Sequence, residues 1–381
     1  MLSQLLGPVT YANCPGWHGD DHAAAFAAFR RSAFRVLEKP YRSGSLGITF
    51  EALTPIFAAA RDLPASGRSE ARDFFETHFL PCLLRPESGE KGFVTGFYEP
   101  EIAASPVKTD RFHIPFYRKP DDLVELNDEN RPPYIASSFA FARRSEARLT
   151  EYPDRRTIET GALDGRNLEI AYVEDRVDAF FAHVQGAARL NMPDGSTRRI
   201  TYAAKTGHPF TGPGRVLIEL GELAARDVTM QSIRAWFREN PHRIDEILWR
   251  NRSYIFFREA PVEDPALGPV AAAKVPLTPG RSVAVDRLIH TFGTPVYIHA
   301  PDLHAFDSGN PAGFRRLMIA QDTGSAIVGP ARGDLFAGSG DAAGEIAGVI
   351  RNAADFYVLV PRTLIEHFAA RRNRLASHKC G

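Results

Sequence analysis

AVDR (residues 284–287) and IAQDTGSAIVGPARGDLFAGSGDAAGEIAG (residues 319–348) carry the pattern that decides how this chain is read. Apolar runs deliver three carboxylates, Asp286, Asp322 and Asp334, into glycine-rich surroundings. A strand that ends in an acid beside glycine carries that acid to a sheet rim, where backbone without a Cβ lets a ligand come close. A general acid is useful there. The same aspartates could instead satisfy turn amides, as Asp often does, and the residues alone do not choose.

Working outward, residues 282–286, 295–300, 317–321, 325–328 and 356–360 read as short strands, with 253–257 upstream. Short strands at this density, separated by Gly and Pro, predict a small barrel or sandwich rather than βα repeats. Residues 229–240 place Ile233, Trp236 and Phe237 on one side of a helix that Pro241 stops, and a domain crossing is expected just before it. Between 110 and 225, alternating runs with turn signals, among them Asp194-Gly195, predict a β-rich block. Residues 92–98 read as a strand and 71–80 as a helix ending before Pro81. Residues 20–37 read as an amphipathic helix with Phe26, Phe29, Ala33 and Leu37 together and Asp20 or Asp21 as cap. The tail from Arg362 reads as a basic helix, with Arg371, Arg372, Arg374 and Lys379 a solvated face.

The chain has 381 residues, enough for two domains, and its 44% hydrophobic and 24% charged content is that of a globular protein. Lys plus Arg (46) balance Asp plus Glu (46), so no overall field draws a polyanion, and nucleic acid is not an expected partner. No apolar run approaches the roughly 18 residues that a membrane span needs. The opening MLSQLLGPVTYANCPGW lacks a basic region and a sustained apolar run, and does not read as a signal peptide. Cys14, Cys82 and Cys380 form no C-x-x-C pair, so a zinc site is not expected, and at most one disulfide is. P-loop, G-x-S-x-G and H-E-x-x-H patterns are absent, and GSGDAAG (338–344) misses the dinucleotide spacing by one residue. His290 and His299 sit in apolar runs that favour packed imidazoles. No metal or cofactor is expected.

Further blocks run along the chain: PGWHGDDHAAAFAAF (15–29), TGFYEPEI (95–102), IPFYRKPDDL (114–123), VDAFFAHVQGAARL (177–190), MQSIRAWFRENP (230–241) and NRSYIFFRE (251–259). With the aspartate-rich segment, they resemble the membrane-bound lytic transglycosylase A family, whose closing 3D domain would take Asp286, Asp322 and Asp334 as its three acids. The resemblance implies a mainly β fold with flanking helices: a double-psi β-barrel from residues 1–100 and 226–381, and a smaller β-barrel-like glycan-binding domain inserted at 101–225, with a substrate groove between them. It implies a peptidoglycan lytic exotransglycosylase, a lyase that cleaves the β-1,4 bond between N-acetylmuramic acid and N-acetylglucosamine to leave a 1,6-anhydromuramyl end. It also implies glycan strands as partner, a periplasmic or cell-envelope location with possible outer-membrane or cell-wall complex association, and a monomer.

Carried over by residue, the single catalytic aspartate falls on Asp334, with Asp322 as the nearby supporting acid. Thr95, Phe97 and Tyr98 match the groove block, Gln185 and Gly186 the block that contacts glycan, and Asp286 is assigned to substrate binding. Family members commonly have serine where this chain has Ala187. Phe97, Tyr98 and Tyr117 could stack on sugars or pack in the core. To act near neutral pH, Asp334 needs a pKa above about 3.9; Asp322 could supply like charge, and Leu335 and Phe336 dry surroundings. The rival readings are a hydrolase using Asp334 with Asp322 or Asp286 as base, a catalytically silent glycan-binding protein, and Glu99 or Glu101 as the acid. Glu99 could equally orient substrate or a neighbouring side chain.

Overall fold

Asp21 caps the first helix by accepting the Ala24 amide at 3.3 Å, which satisfies one of the donors that a helix start leaves without an intrahelical partner. Asp20 has another task. Its buried carboxylate pairs with Arg281 at 2.8 and 2.9 Å and takes the Leu317 amide at 2.7 Å, fastening the helix start to a sheet. These features come from a computed structural model that describes residues 2–365 apart from 65, 66, 88, 147 and 308. The basic face expected at Arg371, Arg372, Arg374 and Lys379 lies outside the described residues.

In chain order the helices are α1 (His22–Arg35), α2 (Phe50–Asp62), α3 (Arg68–His78), α4 (Arg155–Thr157), α5 (Arg176–Gln185), α6 (Pro213–Glu219), α7 (Met230–Glu239), α8 (Ile244–Leu248) and α9 (Asp341–Gly348). The strands are β1 (Leu6–Pro8), β2 (Phe79–Leu84), β3 (Gly92–Glu99), β4 (Glu101–Ser105), β5 (Ile114–Tyr117), β6 (Leu123–Glu125), β7 (Phe141–Ser145), β8 (Arg148–Thr150), β9 (Glu169–Val173), β10 (Ala187–Asn191), β11 (Thr197–Lys205), β12 (Ile255–Ala260), β13 (Ser282–Val285), β14 (Pro295–Ala300), β15 (Phe314–Asp322), β16 (Arg332–Ser339) and β17 (Arg351–Pro361).

One compact unit gathers Met1–Tyr98, Ala266–Gly338 and Val349–Gly381. Its sheet runs β1-β2-β17-β14-β15-β13-β16-β3, and β17 pairs with β3 as well. β13 lies parallel to β15 and antiparallel to β16. All four residues of β13 are buried, the mark of a strand covered on both faces. α1 to α3 pack together through Phe26 on Phe74 at 4.9 Å and Phe29 on Phe57 at 5.1 Å. α1 ends at Arg35, so Leu37 falls outside it and is exposed. Pro81 does not terminate a helix but sits inside β2, where its carbonyl accepts the Val9 amide at 3.0 Å.

Residues 325–328, expected as a strand, form a turn: the Ile327 amide donates to the Gly324 carbonyl at 3.0 Å and Val328 is exposed. The strand comes later, as β16, and α9 follows it.

The second unit gathers Glu99–Pro265 and Ser339–Gly348. It holds a sheet of order β12-β11-β10-β4-β9-β5 and a smaller one of order β6-β7-β8. Asp194-Gly195 turns the β10–β11 hairpin, with Gly195 at φ +81°, a left-handed conformation that glycine adopts without a Cβ penalty. Thr229 and Ser232 form a capping box at α7, and Ile233, Trp236 and Phe237 bury against Val177, Phe180 and Phe181 of α5. Each phenylalanine so buried contributes roughly 1.5–3 kcal/mol. That packing keeps α7 in the second unit, and β12 pairs with β11 there, so the boundary lies at Pro265 rather than before residue 226.

Candidate active site

β3 and β16 are neighbours in the first unit's sheet. Alternation along a strand puts Thr95 and Phe97 on one face of β3, and Arg332, Asp334 and Phe336 on one face of β16. The two faces meet. The Thr95 hydroxyl donates a short hydrogen bond to Asp334 Oδ1, and Arg332 Nη2 donates to the Thr95 oxygen at 2.8 Å. Phe97 lies 5.2 Å from Phe336, ring to ring, and Leu335 and Phe336 are fully buried. Tyr98 is also buried.

Asp334 is thickly surrounded by protein, yet the residue keeps part of its surface accessible. Burial pushes its carboxyl above the ordinary range; the Thr95 bond and the Arg332 charge pull it back, and burial wins. Arg332 is the member of this group that sequence reasoning missed. The signal is present in the chain: in Arg-Gly-Asp, a two-residue step puts Arg332 on the side of the strand that Asp334 occupies.

Asp322 closes β15. Ala284 of β13 has Asp322 as partner on one side and Asp334 on the other, so the two Cα atoms are two strand spacings apart, about 10 Å. Burial raises the Asp322 pKa to about 6; the Thr323 and Ala272 amides (the latter at 3.1 Å) and Lys274 lower it, and the Asp334 charge raises it. Asp286 is committed to turn backbone: its two oxygens take the Leu288 and Gly329 amides, each at 3.0 Å. His290 is buried beside it, with Nε2 at 2.7 Å from the Pro330 carbonyl.

The remaining candidates belong to the second unit. Gln185 ends α5, and Gly186 closes it at φ +75°, its amide donating to the Ala182 carbonyl at 2.9 Å. Ala187 is buried at the start of β10. Tyr117 is a core residue packed with Tyr254, which decides for packing over the stacking on sugar that its sequence also allowed. Glu99 is fully buried and receives Arg199 Nε at 2.6 Å and Nη2 at 3.0 Å, Arg189 Nε at 2.9 Å and the Ser339 hydroxyl at 2.7 Å. Four donor atoms, three of them from two guanidiniums, therefore hold this carboxylate. Glu101 pairs with Arg189 at 3.2 Å. Both glutamates are engaged with arginine.

Comparison with known proteins supplies the family. Residues 93–258 match the model of the MltA specific insert domain and residues 281–360 that of the 3D domain. The crystal structure of membrane-bound lytic murein transglycosylase from Agrobacterium tumefaciens is 50% identical, covers 95% of this chain and 99% of its own, and superposes with a TM-score of 0.89. The chain belongs to the membrane-bound lytic murein transglycosylase A family. MltA from Neisseria gonorrhoeae is 33% identical, with coverages of 93% of this chain and 92% of that one and a TM-score of 0.76. Membrane-bound lytic murein transglycosylase A of Escherichia coli K12 is 33% identical over 270 residues, 70% of this chain; the match spans just 64% of that relative's length. Within the MltA family frame, β3 opens the insert-domain match and β16 lies inside the 3D match, so the Thr95–Asp334 pair draws one partner from each. Among the described residues, no helix is long and apolar enough to cross a membrane.

Proposed function

We propose that this chain is a lytic transglycosylase that cleaves the β-1,4 bond between N-acetylmuramic acid and N-acetylglucosamine in peptidoglycan, with Asp334 as acid and then base. The observation that carries the reading is the Arg332–Thr95–Asp334 chain of hydrogen bonds around a carboxyl whose pKa burial raises. Thr95 donates to Oδ1, which leaves Oδ2 to carry the proton. Asp334 gives that proton to the oxygen linking the two sugars as the C1–O bond breaks through an oxocarbenium-like state. The carboxylate so formed takes the proton of the muramyl C6 hydroxyl, and the C6 oxygen closes on C1. Asp334 returns to its protonated form and no water is consumed.

On this reading Asp322 supports Asp334 by its nearby charge. Phe97, Tyr98, Gln185, Gly186 and Asp286 contribute to glycan binding, Asp286 by shaping the turn whose amides it holds. The first unit is a double-psi barrel, a reading supported by the β17–β3 pairing that joins two distant members of the strand order. The protein works as a monomer on glycan strands in the cell envelope.

The Asp322 carboxyl, with a pKa near 6 and one strand removed from Asp334, favours one second reading, a two-carboxylate hydrolase. Digestion of purified peptidoglycan in 18O-labelled water separates the two. Transglycosylation yields anhydro ends without label. Labelled reducing ends would establish the hydrolase, and bound but intact glycan would leave only a binding protein.

A further inference from the structure

Glu99 is the last residue of β3 and Ser339 the last of β16, the strands that carry Thr95 and Asp334. The Ser339 hydroxyl donates to Glu99 Oε2 at 2.7 Å, and the amide of the next residue, Gly340, donates to the Glu99 carbonyl at 2.9 Å. The Glu99 carboxylate is gripped from the β10–β11 hairpin, where Arg189 and Arg199 stand directly opposite each other in register. Like charges facing across a strand pair are unfavourable, and Glu99 is the anion that makes this pair tolerable. Arg189 also donates to Glu101 at 3.2 Å and to the Pro265 carbonyl at 2.8 Å. Two arginines and two glutamates balance in charge.

The chain passes from one compact unit to the other at 98/99, 265/266, 338/339 and 348/349. Residues at the first three of these points, Glu99, Pro265 and Ser339, are held by this one cluster. A buried ion cluster adds little stability over apolar packing, and its best-attested use is to impose one arrangement. We propose that the Glu99–Arg189–Arg199–Ser339 cluster positions the catalytic pair, fixing the ends of β3 and β16 so that Thr95 and Asp334 keep their hydrogen bond through the reaction. Glu99 is then a positioning residue that touches no reacting atom. The proposal rests on the assignment of Asp334 as the acid.

Ser339→Ala tests it, because it removes the side-chain tie between the strand ends, keeps the Gly340 amide bond and leaves Glu99 with both arginines. In the full chain, kcat and KM on soluble peptidoglycan fragments are measured beside amide hydrogen exchange in β3 and β16. The expected result is a kcat lower by about tenfold, a small displacement of reacting groups being costly, with KM held within about twofold and Tm close to wild type. Exchange at β3 and β16 should quicken, and Ser339→Thr, which keeps the hydroxyl, should restore both rates. Arg111→Ala, which breaks an exposed pair with Glu174, serves as the unchanged control. Wild-type kcat and wild-type exchange in Ser339→Ala would overturn the proposal. Should the wild-type chain release no anhydro product, the transglycosylase reading fails by itself, and the exchange comparison still decides whether the cluster holds the strand ends.

Discussion

Glu99 in the second unit and Asp334 in the first are both acids enclosed by protein, and their surroundings are opposite in kind. Around Glu99 stand two guanidiniums and a hydroxyl, all within 3.0 Å. Asp334 has the Thr95 hydroxyl, an arginine that reaches it through that hydroxyl, and the dry flank of Leu335 and Phe336. Burial disfavours the charge of Asp334, and the donors around the two carboxyls differ in number and in kind. Glu99 has four strong donors, and two guanidiniums supply three of them. One neutral donor in a dry setting leaves Asp334 able to hold and release a proton.

If that contrast is right, removing the two acids should act on stability in opposite directions. Glu99→Ala removes the carboxylate that two buried guanidiniums share and should cost about 3–5 kcal/mol, read from urea unfolding at neutral pH. Asp334→Asn should leave stability unchanged or raise it, since burial disfavours the charged carboxylate that Asn cannot form. A comparable loss in both variants would erase the distinction between the two acids.

Asp322 extends the contrast through pH. Its folded pKa is raised to about 6, so the stability linked to it is fully present below the unfolded value of about 3.9 and is lost as pH rises through about 6. Asp322→Asn should therefore gain at most about 3 kcal/mol over wild type at pH 8 and nothing at pH 3. Parallel stability curves for the two proteins between pH 3 and 8 would show that burial does not raise the Asp322 pKa.

A smaller effect is expected at Thr95. Its hydrogen bond pulls the Asp334 pKa down, so Thr95→Val should move the basic limb of the kcat profile to higher pH. The lost orientation should also lower kcat by about tenfold. A limb that moves to lower pH would show that the hydroxyl does not act on Asp334.

The elements legible in the sequence were those with an uninterrupted local signal. Residues 295–300 form a short, mostly apolar run and coincide with β14, and the Ile233, Trp236 and Phe237 face stopped by Pro241 marks α7. β16 was not legible, because Gly333, Asp334 and Gly338 interrupt any apolar pattern and its place is secured by pairing with β13 and β3. Ser-Ala-Ile-Val at 325–328 has strand composition but no partner strand among the described residues, and it turns. The site shows the same limit. Asp286 and Asp334 were both read as acids carried to a sheet rim, yet one holds turn amides and the other meets Thr95. Thr95 lies 239 residues away in the chain, a separation no local pattern can report.

Whether a single carboxyl does the chemistry can be decided by mass spectrometry of muropeptides released by wild type, Asp334→Asn and Asp322→Asn under the same conditions. We expect Asp334→Asn to lose anhydro-muropeptide release by about a thousandfold while Asp322→Asn stays within about tenfold of wild type. Equal, complete loss in both variants, or undiminished release by Asp334→Asn, would contradict the assignment of Asp334 as the one acid.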